Sequence, residues 1–389
     1  MISTAVKAGA RRPPGAMAVA AFTSSVDRFG ISPLLVLIAT DFGVPLSASV
    51  MTASVYFFTY GLGQPVWGML SDRFGRLPVM RIALVGALLC GLGSAFAPTV
   101  ETLMVARALT GAFFGAVIPA SITYVGDTTE LRHRQSALSD LMAAVALGTA
   151  FATAGAGILG QVVSWRVVFA VSALFALVSL IPLWRLAEPD RDIRTSVSSA
   201  LRILFHQKWA WLIFGLAFLE GALVLGILTL LAPALESQGV GTSLAGLSVA
   251  AYGVATLGFS RLVRPMTLRL SAPRVLAIGG VCLVVGLGLV AIHLSIITVV
   301  AAALMLGGAW AFMHTGLQSW ATQVVPKARG MAVAFFAGAV FAGSAVSSAL
   351  AGALAEAGRW TVIFGTGAAV AVALTIMAAA GLARYQATR

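Results

Sequence analysis

Charged side chains are scarce in this sequence. They make up 10% of its 389 residues, while hydrophobic residues make up 59%; soluble domains carry about 25% and about 45–50% respectively. So little charge cannot coat a water-soluble fold of this size, and lipid is the expected solvent. Cysteine is nearly absent too. Cys90 and Cys282 are the only two, each inside an apolar run, so a disulfide framework or a thiolate metal cluster is excluded and both read as small packing residues. Short alternating segments that would build a transmembrane barrel are missing. Helices are then the remaining way to satisfy a backbone in hydrocarbon. There is no glycine-rich phosphate loop ending in lysine, no nucleophile elbow and no histidine pair at metal-binding spacing. Neither an enzyme, nor ATP drive, nor a metal, nor a cofactor is expected.

What the sequence does have is long apolar runs. About 20 residues cross the hydrocarbon as a helix. The runs predict twelve spans, at 17–39, 49–70, 79–97, 100–123, 137–160, 167–186, 209–235, 244–263, 274–293, 297–320, 331–355 and 361–383. The longest polar gap runs from Ala187 to Lys208 and holds Glu188, Asp190, Arg191, Asp192, Arg194, Arg202 and Lys208. It reads as a cytoplasmic linker, dividing the chain into 1–190, a linker 191–208, and 209–389.

The net charge of +12 raises nucleic acid as a partner. The basic residues fall in short gaps between the apolar runs, where membrane topology puts them, so membrane lipid is the expected partner and nucleic acid is not. Of 25 Lys and Arg, 21 fall on one side: both termini, the linker, and alternate gaps such as Arg73–Arg81, Arg132–Arg134, Arg261–Arg274 and Lys327–Arg329. Arg166 and Arg359 fall on the other side, and Arg28 and Arg107 lie within spans. This bias and the even span count place both termini in the cytoplasm of a bacterial inner membrane. Lys7, Arg11 and Arg12 before an apolar run look like a signal peptide, but the run continues past Leu35 and contains Asp27 and Arg28. It reads as a retained first span.

The halves repeat. At an offset of 195 residues, Asp41 matches Glu236, Arg134 matches Arg329, Gly148 matches Gly343, Gly157 matches Gly352, Trp165 matches Trp360 and Phe169 matches Phe364. Parallel six-helix repeats are a recurrent transporter plan, with substrate bound between them near the bilayer midplane.

The gap after the second span reads Gly68-Met69-Leu70-Ser71-Asp72-Arg73-Phe74-Gly75-Arg76-Leu77-Pro78. It resembles the signature of the major facilitator superfamily, Gly-x-Leu-x-Asp-Arg-x-Gly-Arg-Arg, departing only at Leu77. The resemblance implies an all-α membrane protein whose twelve helices form two pseudo-symmetric six-helix bundles, the major facilitator fold. It also implies a cytoplasmic latch of Gly68, Asp72, Arg73, Gly75 and Arg76. Gly68 would let backbones approach, Asp72 would accept hydrogen bonds from the start of the eleventh helix near Met331, and Gly75 would permit the turn. The equivalent stretch Arg269–Arg274 has lost the Asp and Gly, so the latch is asymmetric.

Arg107 and Gly111 in the fourth span look like the Arg-x-x-x-Gly pattern of drug/proton antiporters, in which the arginine biases a nearby acid's hold on its proton; alternatively, Arg107 snorkels to the outer interface. Asp27 and Glu220 are intramembrane acids, expensive there and therefore functional candidates for proton coupling alongside Arg107. The alternatives are a structural pair of Asp27 with Arg28 or Arg107, and an interhelical hydrogen bond for Glu220. Trp310, His314 and Gln318 recur every four residues and share one face. With Tyr60 and Gln64 of the second span they are candidates for the substrate cavity, or for helix packing. The fifth span departs from the export-type Gly-Pro-x-x-Gly-Gly pattern: in Phe151–Ala156 only Gly155 remains, with Gly157 and Gly160 nearby.

These residues together lead to the expectation of a monomeric secondary transporter of small molecules, coupled to protons and working as an efflux antiporter of the multidrug-resistance kind. Proton-coupled uptake of a small nutrient is the alternative, and a non-transporting membrane sensor a more distant one.

Overall fold

The computed structural model describes residues 15–189 and 197–388. Lys7, Arg11, Arg12, the linker charges Asp190, Arg191, Asp192 and Arg194, and Arg389 lie outside the described residues. The described chain is built on long helices: α1 Gly15–Phe42, α2 Leu46–Phe74, α3 Arg76–Ala95, α4 Val100–Thr128, α5 Leu131–Val162, α6 Trp165–Leu183, α7 Lys208–Glu236, α8 Thr242–Thr267, α9 Ala272–Ile292, α10 Ile296–Val324, α11 Arg329–Glu356 and α12 Trp360–Ala387. Eleven are long and apolar enough to cross a membrane. The exception is α2, as long as the others at 29 residues but rich in hydroxyls. Its polar groups are turned inward. Ser49 donates to the Leu35 carbonyl at 2.7 Å, Ser54 pairs with Ser348 at 2.9 Å, and Thr59 donates to the Ala108 carbonyl at 2.6 Å. A helix that satisfies its polar side chains on neighbours can sit in lipid at a lower mean hydropathy.

The repeat seen in the residues is a repeat of neighbours. In the first half α1 packs on α5, α2 on α4, and α3 on α4 and α6; in the second, α7 packs on α11, α8 on α10, and α9 on α10 and α12. The bundles meet along two symmetry-related seams, α2 with α11 and α5 with α8. Glycine sets the second seam. A Cβ on Gly157 would lie 2.7 Å from the Thr242 carbonyl oxygen and 3.1 Å from the Gly246 Cα, so a larger residue would force the bundles apart. Gly160 instead faces Leu34 and Leu37 of α1, and Gly155 approaches only the Phe151 ring. Opposite the face that carries the arginine-rich turns, the seams end in polar ties: Ser47 donates to Glu356, and the Ser243 amide donates to Gln161 at 2.6 Å.

Four helices lose regular geometry near their middles, and they are the first and fourth of each half. α1 passes through a tight turn at Ser32–Leu34, where Pro33 removes a backbone donor. α4 breaks at Gly115 and Ala116. α7 carries a π-bulge at Ala222–Gly226 and α10 one at Trp310–His314. Such bulges concentrate at functional sites because they re-aim side chains at little cost in backbone bonding.

One expectation needs correction. The motif after the second span is helix rather than loop. α2 continues to Phe74, so Gly68, Asp72 and Arg73 lie on its last turns, Gly75 (φ 111°) is the whole junction, and Arg76 starts α3. Hydropathy marks where hydrocarbon ends, whereas the backbone stays helical until a residue breaks it. The linker also contains a short helix, Val197–Phe205. It docks through buried Leu204 and through Phe205, whose ring meets Phe335 of α11 at 5.2 Å.

Candidate functional site

The four broken helices bring the intramembrane charges together. Arg107 of α4 is fully buried and Asp27 of α1 is 3% exposed. The guanidinium reaches both carboxylate oxygens, Nη1 to Oδ1 at 3.0 Å and Nη2 to Oδ2 at 3.2 Å, and Nη2 also donates to the Asp27 backbone carbonyl at 3.2 Å. Ser172 of α6 donates to Oδ1 at 2.9 Å. The rings of Tyr56 and Phe169 cover the cation, 4.4 and 4.7 Å from its centre. Arg107 therefore does not snorkel, and Asp27 is paired with it across helices, not with its neighbour Arg28.

A second pair lies in the other bundle. Glu220 of α7 is fully buried just before the π-bulge, and its Oε2 lies 3.1 Å from Nδ1 of His314, the last residue of the α10 bulge. Trp310 stacks flat on the imidazole at 3.8 Å and 12°, and the Phe336 ring packs 5.2 Å away. The other Glu220 oxygen, Oε1, is buried without a hydrogen-bond partner. The two pairs differ in kind. Asp27 faces a permanent cation and one hydroxyl donor, while Glu220 faces an imidazole, a ring that can be neutral or cationic. A proton can be taken up by the second pair without dismantling a fixed-charge ion pair.

Arg28 projects between the bundles. It is 8% exposed and forms no ion pair among the described residues. Its Nη1 donates to the Tyr60 hydroxyl at 3.3 Å, and its Nε is buried without a partner. Its charge sits over Phe29, Tyr60 and Phe341, at 4.7, 5.3 and 5.4 Å. Ring faces contribute about 0.5–2 kcal/mol to a cation, less than the several kcal/mol that burying an ion costs. Beside it runs a narrow cleft, with about 210 Å³ of space between atoms and room at its widest for one water at most. Gln64 and Gln318 lie one turn beyond Tyr60 and His314, toward the arginine-rich face. Gln64 is buried and Gln318 half-buried, and the structure ties neither to the charged groups.

The motif turn forms its own network. Asp72 is paired with Arg76, which also reaches Asp127 at the end of α4 at 3.4 Å. The Asp72 side chain is 67% exposed, and no hydrogen bond joins it to α11 among the described residues. Gly68 has open space where a Cβ would stand, so the close approach expected there is absent. The carboxylate that does sit on a helix start is Glu188. It accepts from the Arg76 and Leu77 amides at 2.6 and 2.8 Å, capping α3. Gly75 is required twice, by its positive φ and because a Cβ would strike that carboxylate.

Arg28 and Glu188 were not singled out as site residues. An intramembrane arginine beside an acid was a visible signal for the first. Nothing local marks the second, since its partner amides lie more than a hundred residues away.

Comparison with known proteins places these features in context. A family model described as the Major Facilitator Superfamily matches residues 17–263 and 221–388. The inner membrane transport protein YnfM of Escherichia coli (strain K12) is 27% identical over 198 residues, 50% of this chain and 48% of that protein. The efflux pump dotC of Dothistroma septosporum (strain NZE10 / CBS 128990) is 29% identical over 161 residues, 40% of this chain and 27% of the pump. The matches thus span about half, or less, of these relatives. Among solved structures, a D-xylose-proton symporter superposes with a TM-score of 0.75 at 19% identity, covering 94% of this chain and 96% of that one, a likeness of fold alone.

Proposed function

The chain belongs to the major facilitator superfamily, and on that premise we propose that it is a proton-coupled exporter of small molecules. It is an integral membrane transporter, not an enzyme. In the proposed arrangement it lies in a bacterial inner membrane, both termini cytoplasmic, and acts as a monomer. The bundles 1–190 and 209–389 rock about the Arg28 cleft, joined by the linker 191–208.

The observation that carries the reading is the buried Glu220–His314 pair at the bulges of α7 and α10. Protonation there changes the charge of a group fully out of water, so it changes the relative free energy of any two states that hydrate the pair differently. A bias of about 1.4 kcal/mol shifts the population tenfold. The Asp27–Arg107 pair holds α1 to α4 through this cycle, and exposed Asp72 is available to the start of α11 when the arginine-rich ends close. The efflux direction is supported by the likeness to the efflux pump dotC.

The test is purified protein in vesicles containing a pH-sensitive dye, with an imposed gradient and a panel of anionic, neutral and cationic compounds. Proton movement opposite to substrate supports exchange. Movement of both in one direction replaces export by uptake, and substrate flux indifferent to the gradient removes the coupling.

A further inference from the structure

We propose that Arg28 is the substrate-recognition residue and that the substrate is a small organic monoanion with an apolar body; this rests on the transport reading above and names what that site takes.

The argument is an inventory of charge and donors. Among the described residues, four charged side chains are buried within the spans: Asp27, Arg28, Arg107 and Glu220. Asp27 is used by Arg107 and Ser172, and Glu220 by His314. Adjacent helical residues project about 100° apart, so Arg28 is carried away from Asp27 into the seam, where it meets no carboxylate among the described residues. One cation is left over. A guanidinium offers five N–H donors, and here one hydrogen bond is made, at 3.3 Å to Tyr60, while Nε has no acceptor.

The hydroxyls lining the cleft have already committed their one proton each, so they have no donor left for an anion. Ser32 donates to the Thr229 carbonyl at 2.9 Å, Thr153 to the Thr149 carbonyl at 3.3 Å, and Thr229 to the Leu225 carbonyl at 2.9 Å. Recognition therefore falls to the one guanidinium, which matches a carboxylate in bidentate geometry. The surroundings are otherwise apolar and aromatic: Phe29 and Phe57 line the cleft, and the rings of Phe29, Tyr60 and Phe341 lie against the cation. A hydrophilic anion would leave these rings unused, and a dianion would leave one charge unpaired. The cleft is too narrow for such a molecule as it stands, so binding accompanies parting of the seam, which is the motion that transport requires.

The test is binding to the purified full chain in detergent, read by thermal melting and tryptophan fluorescence. The probes are benzoate and hexanoate, with benzamide and benzylammonium as neutral and cationic counterparts. Both carboxylates should raise the Tm of the wild-type protein while benzamide and benzylammonium do not, a comparison that needs no variant. Arg28→Gln should weaken benzoate at least about tenfold, and Arg28→Lys should retain part of the affinity. Equal binding of benzamide, undiminished benzoate binding in Arg28→Gln, or no carboxylate binding at all would overturn the proposal. Because no gradient or turnover is involved, carboxylate binding through Arg28 with no proton movement in vesicles would sink the coupling and spare this inference. Proton movement driven equally by neutral compounds would do the reverse.

Discussion

Replacing Asp27 by Asn removes the charge opposite a fully buried arginine and leaves the shape almost unchanged. Three contacts weaken: the two guanidinium bonds to the carboxylate and the Ser172 bond to Oδ1. Arg107 then stays charged between Tyr56 and Phe169 with no counter-ion. Breaking a buried pair from one side costs about 3–5 kcal/mol. At the unfolding entropy typical of soluble proteins, about 2.1 cal/mol/K per residue, a chain of 389 residues would lose about 4–6 °C in Tm. The assay is thermal melting in detergent of wild type, Asp27→Asn, Arg107→Gln and the double variant. The double variant should recover part of the loss, because neither charge is then stranded. Wild-type melting of Asp27→Asn, or strictly additive losses, would refute the claim that this pair is a structural tie between α1 and α4.

Other consequences follow from particular contacts. Gly246→Val places a side chain against the Thr153 carbonyl and the Gly157 backbone, so it should prise α5 from α8 and abolish transport, while Gly258→Val on the same helix, in open space, should not. Glu188→Ala removes the cap on α3 and should cost about 1 kcal/mol, seen as a lower Tm and faster amide exchange at Arg76 and Leu77; unchanged exchange would mean water caps the helix equally well. Asp72→Asn should slow turnover without changing binding of any transported compound, and full turnover would mean the motif carboxylate is idle.

Much of the architecture was legible because lipid imposes it. Spans of about 20 apolar residues had to be helices, and eleven of twelve satisfy length and composition directly. α2 was legible as a span, yet its apolarity is low because Ser49, Ser54 and Thr59 are satisfied inside the protein, which a one-dimensional average cannot register. Asp27, Arg107 and Glu220 stood out because charge in hydrocarbon is rare, and His314 because it shares one face with Trp310 and Gln318. Which of them pair was left open, since Asp27 and Arg107 lie 80 residues apart and only tertiary packing chooses between Arg28 and Arg107. The bulges in α7 and α10 left no trace because Ala222–Gly226 and Trp310–His314 contain no proline. The motif turn misled on geometry because its polar residues suggest a loop, whereas the helix stops only at Gly75.

The central claim is that the Glu220–His314 pair carries the coupling proton. Glu220→Gln keeps the size and the capacity to hydrogen-bond His314 but cannot change charge. Reconstituted in vesicles with an imposed pH gradient and the mixed compound panel, it should still exchange substrate across the membrane when no gradient is present. It should lose substrate-induced proton movement and gradient-driven accumulation. If Glu220→Gln moves protons and substrate as the wild type does, the proton travels elsewhere and the account is wrong at its core.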